Sequence, residues 1–260
     1  MTDDAHVHQA AATGFERGAT EYDLGRPGYP GDVLRLLRDD IGVGPGVVVV
    51  DVGAGTGKFT RLLVSTGADV IAVEPVASMR VVLQMTLPDV PVHSGTAERL
   101  PIDDESVDVV AAAQAFHWFE AGAALAEAHR VLRPGGALVL VGNKRDDRHD
   151  WVRDLEEVHL ELAGDAPRYL RAGVPWVRTI AESGGFDAVE HLTFDNPVRV
   201  DVPTFRARES SISYISALPD AEREEVLDRV ERIVRSGPMA AGGETFVEPY
   251  LTDVYWCRRR

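Results

Sequence analysis

The chain has 260 residues, 45% of them hydrophobic, which is enough to bury the core of one α/β domain. Its formal charge of −15, from 42 acidic and 27 basic side chains, disfavours a nucleic-acid backbone or an anionic membrane surface as a partner. The single cysteine, Cys257, excludes an intramolecular disulfide. Residues 1–13 lack the basic start and apolar stretch of a secretory signal, so we expect a cytoplasmic protein.

The first informative element is a buried strand predicted at residues 47–51, which runs into a glycine-rich turn. The strand ends in Asp51, and Gly53, Gly55 and Gly57 follow at alternate positions. Because glycine has no Cβ and tolerates positive φ, such a turn lets the backbone approach a ligand closely. A carboxylate just before the turn favours a ligand that carries positive charge there.

Three nucleotide-type ligands compete for this turn. The dinucleotide pattern G-x-G-x-x-G requires a glycine where the chain has Lys58 or Thr60. The P-loop pattern requires a glycine where the chain has Val52, and a Ser or Thr where it has Phe59. Both phosphate-binding patterns therefore fail on spacing. The third ligand, S-adenosylmethionine, has a cationic ammonium and sulfonium and two free ribose hydroxyls.

The next two predicted strands, at 69–73 and 90–93, add residues that suit this third ligand. Glu74 follows the first of them, and an acid in that position can accept both ribose hydroxyls. The loop after the second strand could flank an adenine ring, and Met79 could pack on the ring face. The predicted cofactor residues of these segments are Glu74, Pro75, Met79, Thr96, Ala97 and Glu98.

Five motifs in order resemble the class I S-adenosylmethionine-dependent methyltransferases, and most closely their type 11 small-molecule branch, which includes trans-aconitate methyltransferase-like proteins. These motifs cover roughly residues 14–142. They are Tyr22-x-x-x-Arg26-Pro-Gly-Tyr29-Pro30, Asp51-x-Gly53-x-Gly55-x-Gly57 with Glu74, Thr96-Ala97-Glu98, Gln114-Ala-Phe-His-Trp-Phe119, and Arg130-Val-Leu-Arg-Pro-Gly-Gly136. The resemblance implies S-adenosylmethionine as the cofactor. It also implies a Rossmann-like α/β fold with a seven-stranded, mostly parallel sheet, an antiparallel last strand and helical cap insertions.

The remaining predicted elements alternate between helix and strand before residue 142 and become less regular after it. We expect residues 1–30 to form an arm or lid, and residues 31–260 a single domain with cap helices at about 144–175 and 200–236. Helices are predicted at 31–39, 58–65, 77–86, 121–131, 151–162 and 177–183, with a two-part helix at 203–235; the other strands are predicted at 107–113, 136–142, 189–194 and 246–257.

Methyl transfer from a sulfonium requires mainly alignment and exclusion of water, so no catalytic triad or metal is expected. The segment after the fourth strand would face the methyl group. His117 is either a general base or a structural histidine beside Trp118. The segment lacks the Asn/Asp-Pro-Pro-Tyr/Phe motif of enzymes that methylate nucleic-acid bases or glutamine. The predicted substrate-binding residues are Tyr29, Phe116, His117 and Trp118.

In members of the resembled branch, an arm before the first strand folds over the cofactor. Arg26 could there pair with the methionine carboxylate, or it could be a surface arginine. The remaining predicted cofactor residues are Tyr22, Arg26, Asp51, Gly53, Ala54, Gly55, Gly57 and Gln114. We predict no metal site, because the acids and histidine of segment 156–161 are typical of a solvated helical face.

The sequence thus predicts an S-adenosylmethionine-dependent methyltransferase acting on a small molecule through an oxygen, nitrogen or carbon nucleophile, with carboxylates and secondary metabolites among the possible acceptors. Neither nucleic acid nor membrane is expected as a partner. Two alternatives stay open: a non-catalytic regulatory protein that binds the same cofactor, and a nicotinamide-dependent oxidoreductase.

Overall fold

The computed structural model describes residues 27–163 and 175–260, and its centre is a seven-stranded sheet with the order β3-β2-β1-β4-β5-β9-β6. Strands β1 to β5 are mutually parallel, whereas β9 pairs antiparallel with both β5 and β6. This confirms the predicted Rossmann-like sheet with an antiparallel last strand. The strands of the sheet are β1 Val48–Val52, β2 Asp69–Val73, β3 Val92–His93, β4 Val107–Ala113, β5 Leu132–Arg145, β6 Glu190–Asp195 and β9 Tyr250–Arg258.

Helices cover both faces of this sheet, as right-handed crossovers between parallel strands require. The helices of the sheet layers are α1 Gly31–Leu36, which continues as a π-helical turn over Leu37–Ile41, α2 Lys58–Val64, α3 Ala77–Thr86, α4 Ala121–Val131 and α6 Pro175–Ser183. A short 3-10 turn, Phe116–Trp118, follows β4.

Alternation along the central strands divides the core into two layers. Val50 of β1 and Leu138 of β5 pack with α4 and α6 on one face. Their neighbours Val49 and Val139 pack with α1 and α2 on the other. Because both faces are covered, these strands are hydrophobic almost without interruption.

A second, smaller core lies beyond the carboxyl end of β5. It is built by α5 Asp150–Ala163, α7 Val202–Ser210, α9 Asp220–Ser236 and a two-stranded sheet of β7 Val198–Asp201 and β8 Thr245–Glu248. The short helix α8 Ser213–Ser216 connects α7 to α9. Phe205 and Phe246 meet edge to face at 5.6 Å between ring centroids in this core.

Two predicted elements after residue 190 were wrong. The strand predicted at 246–257 is two strands in different sheets, β8 and β9, divided at Pro249, which has no N–H for a ladder bond. The helix predicted in two parts at 203–235 has three parts, α7, α8 and α9. The partner strand β7 was not predicted at all. A period-2 pattern of four residues is too short to separate from a loop.

The division into an arm and a capped domain stays a prediction, because residues 1–26 and 164–174 lie outside the described part of the chain. Tyr22 and Arg26 are among those residues. No helix in the described ranges combines the length and apolar character needed to cross a bilayer.

A buried ionic network joins the smaller core to the end of the central sheet. The guanidinium of Arg145, at the end of β5, pairs with the fully buried carboxylates of Glu209 on α7 and Glu248 on β8. His159 of α5 lies 2.8 Å from the Glu209 carboxylate, and Arg208 pairs with Glu248. The expectation of a solvated face at 156–161 was therefore wrong for His159, which is buried.

Burial alone would raise the pKa of Glu209, but the positive charge of Arg145, with the hydrogen bond from His159, outweighs it and lowers the pKa to about 2. A carboxyl whose pKa falls on folding contributes stability above its unfolded-state pKa. That contribution is lost as the pH falls through about 4.5 towards 2.

We expect Arg145→Met to lower the free energy of unfolding at neutral pH by about 3–5 kcal/mol, because it leaves two carboxylates buried without their shared cation. Urea unfolding at equilibrium measures this loss. The matched control is Arg178→Met, which removes an exposed pair with Glu182 and should cost less than about 1 kcal/mol. Equal losses in the two variants would contradict a structural role for the network.

Candidate active site

The glycine turn between β1 and α2 is held in shape by the backbone of β2. The N–H groups of Gly53 and Ala54 donate to the carbonyl of Val73, at 2.8 and 3.2 Å. All three predicted glycines have φ between 58° and 88°, where other residues are strained.

The three glycines face different surroundings. A Cβ at Gly53 would lie 2.7 Å from the Cβ of Ala115, and a Cβ at Gly57 would lie 2.9 Å from Leu83. At Gly55 the nearest atom would be the sulfur of Met79, at 3.8 Å. The space beside Gly53 and Gly57 is therefore taken by the protein, and Gly55 is the glycine with room beside it.

Glu74 connects the turn to the end of β2. One carboxylate oxygen accepts the N–H of Gly55 at 2.9 Å, and the other accepts the N–H of Val76 at 2.8 Å. The side chain is buried, and burial raises its pKa although these two bonds and the nearby Arg80 oppose the shift. Each oxygen keeps a lone pair for a further donor.

Asp51 lies at the end of β1, and its side chain is buried beneath the turn. The hydroxyl of Thr60 donates to Oδ2 at 2.6 Å, whereas Oδ1 is buried and has no hydrogen-bond partner among the residues that the structure describes. Burial raises the pKa of Asp51 to about 7; the Thr60 bond lowers it, and the Glu74 carboxylate raises it further. Two buried acids, one of which raises the pKa of the other, favour a cationic ligand.

Within the described ranges, two more buried hydroxyls without a hydrogen-bond partner lie at the same edge of the sheet. They are Ser78 Oγ in the first turn of α3 and Thr96 Oγ1 in the loop after β3. A buried polar atom without a partner costs free energy, so such atoms at a site fit a polar ligand. Together with Asp51 Oδ1, they match a ligand that brings an ammonium, ribose hydroxyls and a purine edge. Ser78 was not predicted, because a serine in a helix has no distinctive spacing.

The predicted adenine residues come from two segments, α3 and the loop after β3. Ala97 is buried in the core, and Met79 is buried beside the glycine turn. One oxygen of Glu98 accepts the N–H of Glu120 at 2.8 Å, and Glu120 in turn caps the first turn of α4. The Glu98 carboxylate therefore already holds the start of a helix.

The segment after β4 lies directly beside the glycine turn. Gln114 has φ of 55° and donates its side-chain N–H to the carbonyl of Asn143, at 2.8 Å. The ring of Phe116 is buried, with its centroid 5.6 Å from those of Phe119 and Trp176, which leaves little of it for a substrate. His117 and Trp118 are half-buried, with ring centroids 4.9 Å apart.

Tyr29 packs against the other side of the turn, with its ring edge on Phe59 at 5.0 Å between centroids. Its position next to Gly28 is fixed by a buried amide cluster at the end of β5. Asn143 and Asn196 both donate to the Gly28 carbonyl, at 3.0 and 2.9 Å. The sequence did not reveal this cluster, because its members are far apart in the chain.

Comparisons with known proteins identify the family of the chain. Residues 50–140 match the model of a methyltransferase domain family. An uncharacterized methyltransferase of Mycobacterium tuberculosis (strain H37Rv) is 38% identical over 240 residues, covering 92% of each chain. An uncharacterized methyltransferase-like protein of Schizosaccharomyces pombe is 33% identical over 243 residues, covering 93% of each chain. Among solved structures, a proposed type II methyltransferase of Anaeromyxobacter dehalogenans has a TM-score of 0.66 at 24% identity, covering 90% of this chain and 97% of that one.

The chain therefore belongs to the class I S-adenosylmethionine-dependent methyltransferases, and S-adenosylmethionine is its cofactor. This membership selects the third of the ligands that the glycine turn could hold. The unpartnered polar atoms at the ends of β1, β2 and β3 fit that cofactor. The narrower resemblance to trans-aconitate methyltransferase-like proteins concerns the acceptor, which these relatives do not identify.

We expect the affinity for the cofactor to depend on whether the Asp51 carboxyl group is protonated. Because a cationic ammonium requires the carboxylate form, the dissociation constant of S-adenosylhomocysteine should rise up to about tenfold per pH unit below about 7. Calorimetry at several pH values measures this slope and the proton released on binding. Asp51→Asn should bind more weakly and with a flatter slope, whereas the surface variant Asp187→Asn should behave as the parent. A parent affinity independent of pH between about 5 and 7 would contradict this role.

Proposed function

We propose that this enzyme transfers the methyl group of S-adenosylmethionine to a small molecule bound beside the ends of β4 and β5. The observation that carries the proposal is the pair of buried acids, Asp51 and Glu74, of which Glu74 accepts the N–H of Gly55 and raises the pKa of Asp51. One acid suits the cationic aminoacyl end of the cofactor and the other suits its ribose.

The cofactor would then lie across the ends of β1, β2 and β3. Asp51 and Gly53 would hold the aminoacyl end, Glu74 and Pro75 the ribose, and Met79 one face of the adenine. The backbone of the 96–98 loop would contact the adenine edge, since the Glu98 carboxylate is engaged with Glu120. The remaining proposed cofactor contacts are Tyr22, Arg26, Ala54, Gly55, Gly57 and Gln114.

S-adenosylmethionine supplies an already activated methyl group, so the protein has to align the acceptor and exclude water. The proposed acceptor contacts are Tyr29, Phe116, His117 and Trp118. Of the aromatic residues after β4, His117 and Trp118 are more accessible than Phe116. His117 would take the proton of a hydroxyl or ammonium nucleophile of high pKa, and a more acidic nucleophile would need no base.

The acidic surface supports a small acceptor over a nucleic acid, since a net charge of −15 repels phosphates. The absence of the Asn/Asp-Pro-Pro-Tyr/Phe motif after β4 supports the same conclusion. Hydroxyl, amine, carbon and carboxylate nucleophiles all agree with the predicted reaction, including acceptors of the kind used by trans-aconitate methyltransferase-like proteins.

Substituting Glu74 tests the cofactor assignment. We expect Glu74→Ala to weaken S-adenosylhomocysteine binding by at least about tenfold, because charged hydrogen bonds to both ribose hydroxyls are lost. Glu74→Gln keeps the shape of the side chain, and its affinity for S-adenosylhomocysteine should fall between those of Glu74→Ala and the parent. Calorimetry measures both, and Glu182→Gln on the exposed surface of α6 is the control. Parent-like affinity in Glu74→Ala would refute the ribose assignment.

Labelled methyl transfer tests the acceptor class. When the enzyme is incubated with methyl-labelled S-adenosylmethionine and a cell extract, we expect the label in the low-molecular-mass fraction. Glu74→Ala, tested in parallel at the same cofactor concentration, should transfer less. Label in the protein or nucleic-acid fraction would contradict a small-molecule acceptor, and cofactor binding without any transfer would favour a regulatory role.

A further inference from the structure

The backbone of Gln114 is strained at the point where β4 leaves the sheet. Its φ of 55° lies in the left-handed region, which is unfavourable for a residue with a side chain. Its N–H donates to the Val141 carbonyl of β5, so the position is fixed by the sheet. Strain of this kind is concentrated at functional sites, and it directs attention to the side chain.

The orientation of the Gln114 carboxamide follows from its partner. Its Nε2 lies 2.8 Å from the backbone carbonyl oxygen of Asn143, which can only accept. The amide nitrogen must therefore face Asn143, and Oε1 must face away. Among the residues described, Oε1 has no hydrogen-bond partner, and it is not one of the buried unpartnered atoms. Gln114 thus presents a hydrogen-bond acceptor to the surroundings.

Asn143 holds the Gln114 carboxamide in a fixed position. Its own Oδ1 accepts the Thr252 hydroxyl of β9 at 2.6 Å, and its Nδ2 donates to Gly28 at 3.0 Å. Asn143 also faces Thr252 in the β5–β9 ladder. The carbonyl that orients Gln114 is therefore held by a central strand and by a buried polar cluster.

The strand order places Gln114 in the half of the sheet opposite to the residues proposed for the cofactor. The buried acids and hydroxyls that suit the cofactor follow β1, β2 and β3, which form one half of the sheet. Gln114 and Asn143 span the ends of β4 and β5, in the other half. In the proposed function, the methyl acceptor binds in that half, beside the ends of β4 and β5.

We propose that Gln114 is a specificity-determining residue whose Oε1 accepts a hydrogen bond from the nucleophile of the acceptor molecule. The proposal rests on the proposed function above and narrows its substrate class to hydroxyl or amine acceptors. A carboxylate has no proton to donate, and it would place a negative oxygen against Oε1. In the transfer, a lone pair of the nucleophile forms the bond to the methyl carbon. The C–S electrons go to sulfur, and the nucleophile's proton leaves to His117 or water.

Ring-matched probes test this selectivity. Phenol, aniline and benzoate differ in one group and are titrated at pH 7, with NMR detection, into protein saturated with S-adenosylhomocysteine. We expect the parent to bind phenol and aniline at least about tenfold more tightly than benzoate. Phenol and aniline gain a hydrogen bond to Oε1, whereas the benzoate carboxylate is repelled by it. Gln114→Met, of similar length, should bind the three probes within about threefold of one another. The matched control is Gln84→Met, at an exposed position of α3, which should keep the parental preference.

Four outcomes would overturn the proposal. Benzoate could bind the parent as well as phenol does, or none of the probes could bind. The preference for phenol and aniline over benzoate could persist in Gln114→Met. That result would attribute the preference to the overall negative charge of the protein. Finally, Gln114→Met could lose S-adenosylhomocysteine affinity by more than about tenfold, which would leave Gln114 only the cofactor contact proposed above and no role in selecting the methyl acceptor. Failure of the parent itself to bind S-adenosylhomocysteine would instead refute the proposed function.

Discussion

The hydrogen bond from the Gly55 N–H to the Glu74 carboxylate joins the ends of β1 and β2, and the geometry of the site depends on it. It fixes the middle of the glycine turn relative to the neighbouring strand, while Gly53 and Gly57 fit against Ala115 and Leu83. In the proposed function the same carboxylate also binds the ribose, so one residue would both shape the turn and contact the cofactor. Parallel pairing brings these groups together, because every strand from β1 to β5 ends at the same edge.

Charge preference at this edge comes from burial. Asp51 and Glu74 are both shielded from water, and both have raised pKa values because a carboxylate loses hydration there. Such a site disfavours a second anion more strongly than an exposed acid pair would. This gives a physical reason to propose a sulfonium nucleoside, and not a diphosphate, as the ligand of this glycine turn.

The sequence was sufficient for the parts of the molecule that depend on local spacing. The glycine turn, the acid after β2 and helices such as α3 and α4 were predicted with the right bounds, because each is specified within one segment. The buried cluster of Asn143 and Asn196 and the network of Arg145 and His159 could not be predicted. Their partners are tens of residues away, and a polar residue in the sequence carries no sign that it will be buried. The same limitation made segment 156–161 look like a solvated helical face.

The position of β9 has a consequence for how the chain folds. β9 is the last strand in sequence, yet it lies inside the sheet, and β6 pairs with it alone in the sheet. Until residues 250–258 have emerged from the ribosome, the outer edge of β5 has no partner and β6 has no ladder to join. Non-local pairing of this kind is slow and leaves strand edges open to association with other chains. The nascent protein therefore exposes open strand edges to aggregation while residues 146–249 are being synthesised.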